Sequence, residues 1–188
     1  MLKSLLPVCR LIDAINERIG RGVYWLVLVA VLISSGNAII RYSLNTSSNF
    51  WLELQWYLFS AIFLLCAGYT LLRNEHIRID IVLNGLSKRQ QTWIDVFGAL
   101  LFLMPMCAVL IYLSWPVVVE SFVRQEMSTD AGGLIRWPVK LLIPIGFSLL
   151  MLQGISETIK RLAFLAGLIP DPTEKPEVAV THSGAGEH

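Results

Sequence analysis

Charge is missing from four long stretches of this sequence. Residues 22–40, 54–72, 96–119 and 141–156 contain no Asp, Glu, Lys or Arg, although charged residues make up 15% of the 188-residue chain. Charges therefore gather between the stretches, a distribution that excludes an ordinary soluble domain with a mixed charged surface. Histidine is scarce as well: of three, His76 sits at the edge of a stretch and two lie in the C-terminal tail. A haem-anchoring helical bundle would need axial ligands inside the stretches, so that function is excluded. Cysteine is odd in number, and Cys9, Cys66 and Cys107 are far apart, two of them inside apolar runs. They read as small hydrophobes rather than a disulfide or metal set.

Other equipment is absent too. The sequence has no P-loop, no cluster of metal ligands and no serine or cysteine nucleophile paired with a base, so we expect neither an enzyme nor a cofactor in this chain. None of the four stretches holds an Asp, Glu, Lys, Arg or His, one of which a self-sufficient proton-coupled exporter would want deep in the bilayer. Nor is there an internal repeat or a glycine-broken helix pair of the kind found in chains that carry substrate alone.

What remains is hydrophobic residue, 55% of the total, with a mean hydropathy of +0.61. This composition points to an all-α integral membrane protein with four transmembrane helices. Leu54 to Leu72 is the clearest, since nineteen residues at about 1.5 Å each span roughly 28 Å, close to the ~30 Å of bilayer hydrocarbon. We expect spans at about 22–41, 52–72, 93–119 and 139–160 within a membrane domain of residues 22–166. A disordered tail of residues 167–188 follows, rich in proline. Residues 1–21 place Val8, Leu11, Ile12, Ile15 and Ile19 at helical spacing among Lys3, Arg10, Arg18 and Arg21, the pattern of an amphipathic helix at the membrane interface. Within it, Glu17 precedes Arg21 by four residues, as a surface ion pair would.

The connectors carry the local signals. Residues 45–49 are short and polar, making spans one and two antiparallel neighbours. Glu53 falls in the first turn of span two, where the helix dipole favours an acid, and Trp51, Trp56 and Tyr57 form an aromatic belt there. Ser87 with Gln90 is a capping box that starts the third helix. Pro105 should kink that helix or cost it a hydrogen bond. Residues 120–138 are a polar connector, and Pro138 opens span four. Gln153, Glu157 and Arg161 share one face of that span at four-residue intervals, with Glu157 the expected partner of Arg161. Eleven of the fifteen Lys and Arg residues fall on one side if the amino terminus is inside, so the positive-inside rule predicts cytoplasmic termini.

The span-two exit is the most specific segment: Arg73, Glu75, His76, Arg78 and Asp80 lie within eight residues. Combined with Glu53, Gly68-Tyr69 and the Trp137-Pro-x-Lys140 that opens span four, it resembles the DctQ-type small permease subunit of TRAP (tripartite ATP-independent periplasmic) transporters over residues 20–165. The resemblance implies a bacterial or archaeal inner-membrane uptake system. In such a system a soluble periplasmic substrate-binding protein captures an organic anion such as a carboxylate. A large multi-span permease subunit then moves the anion by symport with sodium, an ion expected in that large subunit. The small subunit is implied to act as a scaffold and to help dock the binding protein. Arg73, His76, Arg78 and Asp80 would then be cytoplasmic subunit or headgroup contacts. Glu53, Trp56, Arg136, Trp137 and Lys140 would lie at the periplasmic rim, and Glu157 is a further candidate contact. A membrane anchor for another complex and an autonomous small transporter are the alternatives.

Overall fold

The computed structural model describes residues 2–45, 48–74 and 85–170. Four helical rods in it are long and apolar enough to cross a membrane. They are α1 (Leu2–Leu44), α2 (Asn49–Leu72), a composite rod, and α5 (Trp137–Leu165). The composite rod joins α3 (Lys88–Gly98), a π-helical turn (Ala99–Leu103) and α4 (Met104–Val123). Among the described residues no strand forms; a single isolated bridge joins Met127 and Ile135. Each expected span lies inside one of these rods. The last fourteen residues of the sequence-inferred tail, with the four before them, lie outside the described residues.

The first rod has no break where the interfacial segment was expected to give way to span one. Its 43 residues form one helix, about 64 Å long and so roughly twice the hydrocarbon thickness. Cys9, Asn16, Val23, Ala30 and Asn37 are all buried, and they recur every seven residues. A seven-residue seam keeps one side of a helix against its neighbours only if the helices wrap slightly around one another, so α1 packs along most of its length. Asparagine at two of the five seam positions favours one register over its slipped alternatives. Small residues four apart, Ala30, Ser34 and Ala38, leave the seam after its fourth position: Ala30 is buried, Ser34 half-buried and Ala38 exposed.

The centre of the bundle is α5, which touches α1, α2, α3, α4 and the π turn, while α2 packs against both α1 and α5. Close approach of α2 and α5 depends on Gly146. A Cβ there would come within 2.7 Å of the Leu64 carbonyl oxygen, and without one the two backbones pack directly, as small residues allow in membranes.

The third rod resolves its proline differently from a simple kink. The Met104 amide bonds back five residues to the Ala99 carbonyl, opening the helix by one residue just before Pro105. The widened turn relieves the clash between the proline ring and the preceding turn and absorbs the missing N–H. The rod begins with the expected capping box. Ser87 Oγ accepts from the Gln90 amide at 3.4 Å, and Gln90 Oε1 accepts from the Ser87 amide at 2.9 Å.

Candidate functional site

Two polar clusters tie the helices together, one at each end of the bundle. At the connector end, Asn49, Glu53 and Tyr57 are spaced four apart, so they form one stripe on α2. That stripe holds the loop between α4 and α5. Glu53 accepts the Leu134 amide at 2.6 Å and the Ser128 hydroxyl. Tyr57 donates to the Ile135 carbonyl at 3.0 Å, and Asn49 donates to the Ala131 carbonyl at 3.3 Å. The loop doubles back on itself through Arg136 N to Glu126 O at 2.9 Å and Ser128 N to Leu134 O at 3.0 Å. Gly132, at φ +75, supplies the left-handed residue the reversal needs.

Lys140 closes this cluster by an ion pair with Glu126. The ammonium's donated hydrogen bond is the main cause holding the Glu126 carboxyl below its ordinary range. Glu53, Trp56, Arg136 and Lys140, inferred separately from sequence, all line one cleft of about 450 Å³ beside Asp130. Its charges are mostly engaged. Glu53 and Lys140 bind the loop, Arg136 reaches Ser128 Oγ at 3.4 Å, and Trp56 is largely exposed. Trp137 does not line the cleft; it packs edge-on against Phe122 with ring centroids 5.3 Å apart.

At the other end, α1 and α5 bring two polar stripes face to face. Asp13, Asn16 and Glu17 share a side of α1, while Gln153, Ser156, Glu157 and Lys160 share a side of α5 at spacings of three and four. Gln153, fully buried, is the hub. Its carbonyl accepts from Asn16 Nδ2 at 2.9 Å, and its Nε2 donates to Asp13 at 2.9 Å and to Glu157 at 3.1 Å. Ser156 donates to Asp13 at 2.9 Å. Lys160 then bridges the two acids, at 3.0 Å from Asp13 and 2.5 Å from Glu157. Polar groups shielded from water are costly unless paired, so these stripes are driven to meet.

Arg73 extends the cluster to α2. It pairs with Glu17 and lies over the Tyr69 ring at 5.3 Å, and the bond with Tyr69 and the charge of Glu17 raise its pKa. Glu17 also accepts from Arg21 at 3.0 Å, the pair expected from sequence. Gly68 makes room for the hub, since a Cβ there would fall 2.3 Å from Asn16 Oδ1.

The expected pairing of Glu157 with Arg161 does not form. Arg161, 6% exposed, reaches across to Asp95 of α3 instead, and Glu157 takes Lys160, three residues on. Helical spacing brings both cations within reach of Glu157, and the passing α3 carboxylate decides between them. Of the other inferred contacts, His76, Arg78 and Asp80 lie outside the described residues. Sequence reasoning missed Asp13, Asn16, Gln153, Ser156 and Lys160 as one group. The signal was the matched three- and four-residue spacing of polar residues in two helices otherwise dominated by apolar ones.

These clusters neutralise charge and fix helices. Among the described residues, no group of three or more His, Cys, Asp or Glu could hold a metal ion. A family model described as "Tripartite ATP-independent periplasmic transporters, DctQ component" matches residues 24–164, most of the chain. Comparison with curated proteins gives no match.

Proposed function

We propose, from the premise that this chain belongs to the DctQ component family of the tripartite ATP-independent periplasmic transporters, that it is the stationary brace of such a transporter. The family is one of transporter components rather than enzymes, and the four membrane-length rods make the chain a multi-pass membrane protein. The finer reading is that it holds a large multi-span permease subunit at fixed depth and tilt in a bacterial or archaeal inner membrane, with both termini cytoplasmic. It also helps seat a periplasmic substrate-binding protein. Sodium coupling and the choice of organic anion, a carboxylate by resemblance, belong to those partners.

One observation carries this reading: the bundle is fastened at both ends by its own side chains. The α2 stripe clamps the connector at one end, and the Gln153 network clamps α1 to α5 at the other. A partner that moves across the bilayer needs a neighbour whose helices do not slide with it, and latches at both ends resist sliding. Glu53 and Lys140 are spent on the first latch, and Asp13, Glu157 and Lys160 on the second.

The test is uptake of a labelled carboxylate into proteoliposomes holding the large subunit, with binding protein outside and a sodium gradient. Uptake is expected only when this chain is present, and none is expected from this chain alone. Accumulation by the isolated chain would overturn the brace.

A further inference from the structure

The amino-terminal half of α1 is amphipathic in an unusual sense. Its polar side faces the protein and its apolar side faces outward. Asp13, Asn16 and Glu17 turn into the α5 and α2 contacts. Val8, Leu11 and Ile15 are 50%, 62% and 42% exposed, and Leu5 lies exposed beside them. Lys3, Arg10 and Arg18 are exposed too. By the helical period, Lys3 and Arg10 lie together on one flank of the outward face, Val8, Leu11 and Ile15 lie on the other, and Arg18 stands between them.

Both acids of residues 2–22 are used by the seam, so the outward face carries positive charge only. Among the described residues no carboxylate pairs with Lys3, Arg10 or Arg18. A surface that is apolar on one flank and cationic on the other, with no acid on it, complements a layer of anionic headgroups above acyl chains. The family match begins at residue 24, so this half-helix lies outside the part of the chain that the family model covers.

We propose that residues 3–18 of α1 form a seat for anionic phospholipid in the leaflet that the amino terminus faces. Lys3, Arg10 and Arg18 bind the phosphates, and Val8, Leu11 and Ile15 enter the acyl boundary. The polar seam supplies what an isolated amphipathic helix lacks. It holds the helix at one rotation, so that its basic and apolar flanks both stay turned away from the bundle. The proposal needs only that the chain spans a bilayer, and not the brace role.

The full chain in neutral detergent, titrated with phosphatidylglycerol or phosphatidylcholine and read by native mass spectrometry, provides the test. Wild type should retain phosphatidylglycerol in preference, and the preference should fall with salt. Arg10→Gln should lower it about fivefold, and Lys3→Gln with Arg10→Gln and Arg18→Gln should abolish it. Arg124→Gln, in an exposed pair with Glu120 at the connector end, should leave it unchanged. Unaltered thermal unfolding in phosphatidylcholine shows that each variant is folded. Equal retention of both lipids by wild type would overturn the proposal, as would a triple variant that keeps the preference. So would a triple variant that loses the large subunit while its lipid preference is intact, because the face would then belong to a protein.

Discussion

Replacing Gln153 by Leu should free the first half of α1 while leaving the rest of the bundle in place. The side chains are close in volume, so little packing is lost, but three hydrogen bonds go: from Asn16, and to Asp13 and Glu157. The bond to Glu157 lies within α5, so two of the three are interhelical; at about 0.6 kcal/mol each, the average in membrane proteins, they amount to about 1.2 kcal/mol, or roughly eightfold in an opening equilibrium. Cys9 reports that opening. It is free and 1% exposed, one turn from Asp13, with its carbonyl accepting from Ser156. Maleimide labelling of Cys9, followed by peptide mass spectrometry, should accelerate about eightfold in Gln153→Leu. Cys107, buried on α4, serves as the internal control and should label at the wild-type rate. A change at Cys9 below threefold, or equal acceleration at both cysteines, would refute the claim that Gln153 is the hub.

Three further outcomes are expected. Asp95→Leu leaves the Arg161 guanidinium buried without its partner and should cost about 3–5 kcal/mol of stability, whereas adding Arg161→Met should restore most of it; thermal unfolding in detergent compares the two. The Glu126 carboxyl is held below its ordinary 4.5 in the folded loop. Its contribution is therefore present above that pH and lost as pH falls through the lowered value. Hydrogen exchange in residues 124–136 should rise on acidification below about pH 4.5, and Glu126→Gln should weaken the dependence, leaving the part carried by Glu53, which accepts the Leu134 amide in the same loop. Glu53→Ala removes the acceptor for the Leu134 amide and should lower uptake at limiting binding protein more than it lowers co-purification with the large subunit. Arg136→Ala should act in the same direction, and normal uptake by both variants at limiting and at saturating binding protein would sink this reading.

The two latches differ in how visible they are before folding. The connector latch also joins residues far apart in the chain, 75–82 positions, but Glu53, Arg136 and Lys140 all stand out as charges at span ends. The α1–α5 latch joins residues about 140 apart. Asp13 and Glu17 are unremarkable in a polar leader, where a water-facing role explains them equally well. Even the seam of α1 is hidden, because Cys9, Asn16, Val23, Ala30 and Asn37 share no single chemical character and form a pattern only through their common burial.

Local physics was enough for much of this protein. Uncharged stretches of membrane length, the Ser87–Gln90 cap, the Glu17–Arg21 pair and the disturbance at Pro105 follow from residues within a few turns of each other. The sequence by itself therefore determined an all-helical chain with four helices long and apolar enough to cross a membrane. Only tertiary structure decided that α1 is one unbroken helix, that its polar side faces inward, and that Arg161 takes Asp95 while Glu157 takes Lys160. Helical spacing offers a charged side chain several partners of similar reach. The choice among them belongs to whichever helix crosses nearby, and that crossing is set by the packing of the whole bundle.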